Sequence, residues 1–424
     1  MTKTMIIGAK IWDASGANAF DGDVLIEGNR IRAVSRVPGQ IAQAGCQVVD
    51  GKGMTLMPGM TEGHAHISFD NVKTTEDLIQ PPPEEHTLLT ARVAKKLLDH
   101  GFTSVYGASA AKLRLDVAVR NEVNAGHIPG PRIRAGSIEI TVTGGLGDES
   151  KLHNPRIGAS IVVDGPEEMR KAVRLCCREG CDNIKLDVSG DPFYPGTPAH
   201  STPMSFEEIR MAVETAHSFG KPVNAHTRSI ESVQRCVRAG VDVLYHCEYT
   251  DAKTLDMMEE AKDRIFVAPT ISLFHTMLHE AEPFIPAAAA RAMGIDALVE
   301  ESKKTHTELR KRGIRHVIGG DYGFAWSQQG TNARDIGFFV DYYGYSPAEA
   351  LRCATRNGGL LMTINSSEKL GEIKEGFLAD LVLVDGDPVA DVSVVLNADR
   401  LMLIMKDGQI YKNTTALAQR RAAA

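Results

Sequence analysis

The sequence predicts an α/β fold, a (β/α)8 TIM barrel with a small β-sandwich domain built from both chain ends. Three observations support this prediction. Between residues 54 and 360, short apolar runs alternate with amphipathic helical stretches. The two ends instead contain short alternating strands with tight turns. The chain has 424 residues, which is longer than one compact core usually holds, so two domains are expected.

The domain boundaries follow from the change in pattern along the chain. We assign residues 54–365 to the barrel, and residues 1–53 together with residues 366–412 to the small domain. Because the two end segments share the same style of strands and turns, we expect them to pair with each other. The last residues, 413–424, are predicted to form a tail.

Eight apolar runs supply the strands of the predicted barrel. Each run is followed by a loop and then by an amphipathic stretch, which is the pattern of parallel strands with covering helices. The runs are, in chain order, residues 54–60, 103–106, 133–142, 183–188, 222–225, 241–245, 265–271 and 317–320.

Helix boundary signals agree with this count of strands. Ser205 and Glu208 have the spacing of a capping box and predict a helix that starts just after Ser205. Ser346 and Glu349 predict a second helix start in the same way. Gly240 is expected to end a helix between two of the apolar runs.

Composition excludes several classes of protein. The net charge of -7 and the lack of a concentrated basic patch argue against binding to nucleic acid or an anionic membrane. The seven cysteines lack the spacing of a disulfide framework, and the N-terminus does not read as a secretory signal. We therefore predict a cytoplasmic protein with a small-molecule partner. An acidic barrel of this size is also expected to form a homo-oligomer.

The segment Glu62-Gly63-His64-Ala65-His66 places two histidines at the end of the first apolar run. Side chains two residues apart on a strand point the same way, so His64 and His66 can converge on one cation. Imidazole is the commonest metal ligand. A pair of histidines is also common without a metal, so its meaning depends on the other strand ends.

Four further polar residues lie in or directly after apolar runs: Lys185, His226, His246 and Asp321. In a (β/α)8 barrel the carboxyl ends of the strands form the working face. Lys185 is unusual, because an ammonium group cannot bind a cation and is costly to bury. Either it pairs with Asp187, or it is neutral and adds carbon dioxide to form a carbamate that bridges two metals.

The ordered set His64, His66, Lys185, His226, His246 and Asp321 resembles the amidohydrolase superfamily, in its binuclear branch with a carboxylated lysine. The segments around residues 48–60 and 370–383 are also similar to the small-domain signatures of that family. The resemblance therefore covers nearly the whole chain.

This resemblance implies two divalent metal ions, with zinc as the expected metal. His64, His66 and Asp321 would bind the first ion, His226 and His246 the second, and a CO2-derived carbamate on Lys185 both. The attacking group would be a metal-bridging hydroxide. Asp321 would be the catalytic residue that accepts its proton and passes it to the leaving nitrogen.

Substrate preference depends on loops. The similarity is greatest to imidazolonepropionase-like, prolidase-like and ochratoxin-amidase-like hydrolases. Peptidase-like members have a histidine where this chain has Leu146, and they have Val-Arg-Asp where this chain has Val105-Tyr106-Gly107. Both changes favour an apolar pocket. Phe324 and Trp326 follow Asp321 and are expected to pack on substrate, although Trp326 could equally hold its own loop.

Two further residues are candidates for substrate binding. Arg228 follows His226 and could recognise a carboxylate, or it could pair with an acidic neighbour. His275 is not expected to bind metal but could touch substrate.

These observations predict a hydrolase that cleaves the C–N bond of a hydrophobic or aromatic amide, such as an N-acyl amino acid, an aryl amide, a urea or a carbamate. Bonds other than peptide bonds are favoured. The alternative within the same chemistry is an Xaa-Pro dipeptidase or a carboxypeptidase-like peptidase. A cyclic amide hydrolase, a deaminase and a non-catalytic assembly protein fit the sequence less well.

Overall fold

The structure is a computed structural model that describes residues 3–194 and 196–416. Most of the predicted tail, residues 417–424, lies outside the described residues. The middle of the chain alternates strands with helices, whereas both ends are dominated by strands.

The strands belong to three hydrogen-bonded sheets. They are, in chain order, β1 (Lys3–Ile11), β2 (Phe20–Glu27), β3 (Arg30–Ser35), β4 (Gln47–Asp50), β5 (Thr55–Pro58), β6 (Met60–Ala65), β7 (Phe102–Gly107), β8 (Arg132–Arg134), β9 (Gly136–Thr141), β10 (Ser160–Val162), β11 (Asn183–Asp187), β12 (Val223–Thr227), β13 (Val243–His246), β14 (Phe266–Ala268), β15 (Arg315–His316), β16 (Leu381–Val384), β17 (Leu401–Lys406) and β18 (Gln409–Asn413).

Most of the helices follow strands of the middle segment. They are α1 (Glu76–Ile79), α2 (Pro83–Asp99), α3 (Leu115–Asn124), α4 (Pro166–Arg178), α5 (Phe206–Ser218), α6 (Ile230–Ala239), α7 (Ala252–Glu260), α8 (Ile271–His279), α9 (Ala287–Ala292), α10 (Ile295–Lys311), α11 (Arg334–Tyr343), α12 (Pro347–Arg352) and α13 (Gly358–Met362). Within the described ranges, none of these helices is long and apolar enough to cross a membrane.

The predicted helix signals are confirmed. Ser205 and Ser346 each form a full capping box with the glutamate three residues later, at the starts of α5 and α12. Gly240 ends α6 in the left-handed conformation, with φ of 95°.

Both chain ends contribute to one mixed sheet with the order β18-β17-β16-β5-β1-β2-β3, and β4 also pairs with β1. These strands form one continuous hydrogen-bonded sheet built from both chain ends. The domain boundary predicted at residue 53 falls inside this sheet, because β5 pairs with β16 and β1. The apolar run 54–60 therefore contributes to two sheets. Thr55–Pro58 form β5 of the mixed sheet, and only Met60 belongs to β6.

Strand β16 shows why this sheet tolerates uninterrupted apolar sequence. Leu381 and Leu383 pack with Leu56 and Leu403 on one side. The alternate residues, such as Val382, belong to the larger core that contains the helices. A strand buried on both faces needs no polar alternation.

The middle segment forms two parallel sheets, one with the order β6-β7-β8 and one with the order β10-β9-β11-β12-β13-β14-β15. The apolar run 133–142 is split at Ala135, whose backbone N–H donates to Asp182, so β8 and β9 lie in different sheets. The last predicted strand, residues 317–320, is misplaced. Regular pairing ends at His316, and Val317 adds one backbone hydrogen bond to β14.

Candidate metal centre

Three predicted ligands meet where β6 and the segment after β15 come together. His64, His66 and Asp321 each offer a ligand atom, and these atoms all lie within 4.8 Å of one another. The Asp321 Oδ1 atom is 3.1 Å from Nε2 of His66 and 4.0 Å from Nε2 of His64. Gly63 permits this approach, because a Cβ atom there would lie 2.8 Å from the Ile318 carbonyl oxygen.

The two histidines of this group are oriented by different neighbours. His66 Nδ1 lies 3.2 Å from the Ser109 carbonyl oxygen, so it carries the proton and leaves Nε2 as the acceptor. The His64 ring stacks on Tyr245 with the ring centroids 3.8 Å apart. Fixing one ring nitrogen to present the other is a usual arrangement for a metal-binding histidine.

His226 and His246 form a second pair beside the first, with ring centroids 4.3 Å apart. His226 Nε2 donates to the Gly190 carbonyl over 3.0 Å, which leaves Nδ1 free to bind a cation. His246 Nδ1 is held by the Thr270 hydroxyl at 2.5 Å. Its buried Nε2 has no hydrogen-bond partner in the part of the chain that is described. A buried nitrogen without a partner fits a position for a metal.

Burial also selects the correct protonation state. Desolvation lowers the pKa of His64, His226 and His246 well below the ordinary histidine value. Metal binding needs the neutral imidazole, so these residues can bind a cation at neutral pH without first losing a proton.

Asp321 is ionised in this environment. Burial by itself would raise the pKa of its carboxyl group, but the neighbouring His64, His66 and Lys185 outweigh that effect and lower it. The side chain is still 15% exposed, so it faces both the histidines and the open space next to them.

Lys185 is nearly completely buried and lies among carboxylates. Its Nζ atom is 3.7 Å from Glu139 Oε1 and 3.7 Å from Asp187 Oδ1. At these distances the two contacts are ion pairs and not hydrogen bonds. Neither oxygen of Asp187 has a hydrogen-bond partner among the residues described. Burial and the nearby Glu139 raise the pKa of Asp187. The Lys185 amine therefore lies next to carboxylate oxygens that have no hydrogen-bond partner among the described residues.

The backbone at this site is strained. His246, Thr270 and Asp321 have φ values of 73°, 61° and 59°, in the left-handed region that non-glycine residues seldom occupy. Each costs on the order of 1–2 kcal/mol. The carbonyl of His246 accepts a hydrogen bond from His306 Nε2 at 2.7 Å, which helps to hold that turn. Strain of this kind concentrates at functional sites.

Glu62 was not predicted as a site residue, yet it holds the backbone of His64 in place. One carboxylate oxygen accepts the His64 backbone N–H over 3.1 Å, and the other accepts from Asn332 over 3.0 Å. Burial and repulsion from Asp335 raise the pKa of Glu62 to about 8. A glutamate inside an otherwise buried strand, two residues before His64, was the signal available in the sequence.

A cavity of about 400 Å³ opens from the ligand cluster. Its wall includes all six predicted ligands and is otherwise largely apolar. Three of the six predicted substrate contacts also lie in this wall: Leu146, Phe324 and Trp326. Phe69, Leu78 and Leu273 extend the apolar surface.

The other three predicted substrate contacts, Tyr106, Arg228 and His275, lie outside the cavity wall. Tyr106 is fully buried in an apolar cluster of the sheets and does not reach the wall. Arg228 is also fully buried, and its guanidinium donates to Asp191 and Glu248, so the alternative of an acidic neighbour is the observed one.

His275 is the third residue of this group. Its Nδ1 atom lies 2.7 Å from the Tyr342 hydroxyl, and its Nε2 atom lies 3.4 Å from Glu280. Both ring nitrogens therefore have partners away from the cavity wall.

The sequence profile of the amidohydrolase family matches residues 55–411, which is most of the chain. The chain belongs to the amidohydrolase family. Its members are metal-dependent hydrolases, and the His64, His66 and Asp321 group provides a site for such a metal.

Individual relatives in this family have different reactions. The chain is 27% identical to ochratoxinase from Aspergillus niger over 382 residues, which cover 84% of this chain and 75% of the relative. It is 21% identical to imidazolonepropionase from Rubrobacter xylanophilus over 413 residues, which cover 91% and 89% of the two chains. The crystal structure of an Xaa-Pro dipeptidase with bound methionine has a TM-score of 0.86 and 26% identity, covering 97% of this chain and all of the other.

Proposed function

We propose that this amidohydrolase cleaves the C–N bond of a hydrophobic or aromatic amide. The observation that carries the proposal is the cavity, in which a cluster of buried histidines and an ionised aspartate faces a wall rich in aromatic and aliphatic side chains. The similarity to ochratoxinase supports a substrate other than a simple peptide.

The residues present fit two divalent ions. His64, His66 and Asp321 would hold one ion, His226 and His246 the other, and Lys185, once it has added carbon dioxide as a carbamate, would contact both. Histidine nitrogens and carboxylate oxygens suit zinc. Bound divalent ions of this kind supply Lewis acidity, which polarises a carbonyl group and lowers the pKa of water.

Asp321 would carry the proton. Its lowered pKa keeps it ionised, and its partial exposure to the cavity lets a carboxylate oxygen accept a proton from the attacking water. The same oxygen would then give the proton to the nitrogen of the leaving amine. Thr270 and Ser109 hold the histidines in the orientation this requires.

We also propose that the two parallel sheets form one closed (β/α)8 barrel. Two backbone hydrogen bonds support closure, each between a strand of one sheet and the segment that follows a strand of the other. Gly63 N–H donates to the Ile318 carbonyl, and Ala110 N–H donates to the Ser137 carbonyl, both over 2.9 Å. Closure would bring ligands from both sheets to one rim.

An Xaa-Pro dipeptidase is the second candidate. The dipeptidase structure with 26% identity supports it, as does Glu149, a half-buried carboxylate in the cavity wall that could bind a free amino group. Aromatic side chains of the wall favour the first candidate.

The decisive experiment compares an N-acyl aromatic amide with an Xaa-Pro dipeptide as substrates of the zinc-loaded protein. We expect a higher kcat/KM for the aromatic amide. Hydrolysis of the dipeptide alone would replace the first candidate by the second.

The Asp321→Asn variant tests the proton carrier. It is expected to retain metal by elemental analysis but to lose most turnover, because asparagine cannot accept the proton. Full activity in this variant would contradict the role of Asp321.

We also propose a cytoplasmic location and a homo-oligomeric state. All seven cysteines lie within the described residues and are free thiols, which supports a cytoplasmic location. A homo-oligomer is the state we propose, to be checked by light scattering of the purified protein.

A further inference from the structure

A row of aromatic rings leads away from the ligand cluster along the cavity. His66 stacks on Phe69 with the centroids 4.4 Å apart, and Phe69 meets Phe324 edge-on at 6.3 Å. Phe324 stacks on Trp326 at 5.4 Å, and Trp326 lies 6.4 Å from Phe284. We call Phe69, Phe324, Trp326 and Phe284 the aromatic row. Phe69, Phe324 and Trp326 belong to the cavity wall and can pack against a flat aromatic substrate, whereas Phe284 is an exposed residue outside that wall.

Lys73 lies at the outer end of the aromatic row. Its Nζ atom is 5.7 Å from the centroid of the Phe284 ring, and the residue belongs to the cavity wall. It is an exposed residue, and it forms no ion pair within 4 Å with any residue of the described ranges. The nearby Asp77 carboxylate is instead occupied by the backbone N–H groups of Lys73 and Thr74, at 2.9 and 3.0 Å. The ammonium group is thus available to a ligand.

The backbone fixes Lys73 next to the row. Val72 N–H donates to the Gly323 carbonyl, and Ala325 N–H donates to the Val72 carbonyl, both over 2.9 Å. These bonds make a short parallel bridge between Val72 and Phe324. The charge and the rings are therefore carried by two segments that are held together, although 252 residues separate Val72 from Phe324 in the sequence.

We propose that Lys73 is a specificity-determining residue that binds a carboxylate on the aromatic part of the substrate, at the end remote from the scissile amide. This inference rests on the proposed function, since it names the substrate class of the same site as aromatic amides that carry an anionic group. The ammonium group would form a charge-assisted hydrogen bond to the carboxylate while the substrate ring packs on the aromatic row. Glu149 is a carboxylate in the same wall, and removal of its charge is expected to strengthen the binding of an anion.

Binding of two probes of nearly equal shape tests the inference. We would measure, by calorimetry and by Trp fluorescence, the Kd of 4-acetamidobenzoate and of the neutral 4-acetamidoacetophenone. The wild-type protein is expected to prefer the carboxylate about threefold, because an ion pair of an exposed side chain contributes less than about 1 kcal/mol. High salt is expected to reduce the preference, because the mouth of the cavity is exposed.

Variants assign the preference to one side chain. In Lys73→Gln the ratio of the two Kd values should fall to about one, and in Lys73→Arg it should be retained. Glu149→Gln should raise the ratio. Lys374→Gln is the matched control, because Lys374 is an exposed lysine outside the cavity, and the ratio should stay as in the wild type.

The possible results separate this inference from the proposed function. An unchanged ratio in Lys73→Gln, or an equal loss of affinity for both probes that Lys73→Arg does not restore, would overturn the role of Lys73. Release of the aromatic amine from 4-acetamidobenzoate is followed separately. A Lys73-dependent preference in binding without hydrolysis of any amide would support the anion site and contradict the proposed function.

Discussion

The sheet of the two chain ends and the ligand cluster are both buried, yet they differ in what fills them. The sheet is filled by interchangeable apolar side chains such as Leu56, Leu383 and Leu403. The cluster consists of histidines with specific hydrogen-bond partners, such as Thr270 at Nδ1 of His246. Some of its residues also have a left-handed backbone conformation. Burial of the apolar side chains in the sheet therefore stabilises the folded state. The cluster instead costs folding free energy, because its backbone is strained in order to hold the side chains in a fixed arrangement.

The largest effect is expected at the cluster, with His64→Asn. Loss of an outer hydrogen-bond partner of a metal ligand costs about 10–100-fold in metal affinity or activity, so loss of a ligand itself should cost about a thousandfold or more in kcat/KM. The melting temperature of the metal-free protein should change little. A large loss of thermal stability with turnover intact would break the comparison.

In the sheet, Leu383→Ala should behave in the opposite way. The side chain is fully buried between Leu56 and Leu403, so truncation should lower the free energy of unfolding by about 3 kcal/mol. Denaturant titration measures this loss, and kcat at a temperature where the variant is folded should match the wild type. The exposed Leu88 provides a control, since Leu88→Ala should cost much less.

Thr270→Val sharpens the comparison, because it removes only the hydroxyl that contacts His246 Nδ1. The metal affinity should fall about tenfold, as expected for a partner that orients a ligand. Competition with a chelator measures the affinity. Thr250→Val, which removes a hydroxyl pair with Thr305 away from the cavity wall, is the control and should leave the affinity unchanged.

The smallest effect is expected on the outer helices, at His217. The hydrogen bond from His217 Nε2 to Asp242, 2.8 Å long, raises the pKa of His217. A raised pKa in the folded state means that the contribution to stability is present below about pH 6.5 and is lost as the pH rises through the folded value. Solvent screening limits it to less than about 1 kcal/mol. The stability difference between wild type and His217→Gln should therefore be larger at pH 5.5 than at pH 8.5.

Several features of the site were readable from local sequence. The alternation of apolar runs and helical stretches placed His64, His66, His226, His246 and Asp321 at strand ends, and the structure brings these residues to one cavity. Phe324 and Trp326 were also found, because they follow Asp321 within five residues, and Leu146 was found by comparison with the motif of peptidase-like members.

Other features depended on competition between distant groups. Arg228 lies only two residues after His226 in the sequence. Asp191 and Glu248 nevertheless bind its guanidinium, so the side chain does not reach the cavity. Tyr106 lies on a strand whose inward face is decided by sheet pairing, and it points into a core cluster. The sequence contains these acids and strands but not their relative positions.

The sequence by itself determined the alternation of strands and helices and the polar residues that meet at the cavity, since periodicity and residue chemistry are local properties. The tertiary structure decided where the run 54–60 divides between sheets, which residues reach the cavity, and that Lys73 stands at the end of the aromatic row. These outcomes depend on backbone pairs such as Val72 with Phe324. Such pairs form only when the whole chain packs, because each polar group takes the best partner in space rather than the nearest in sequence.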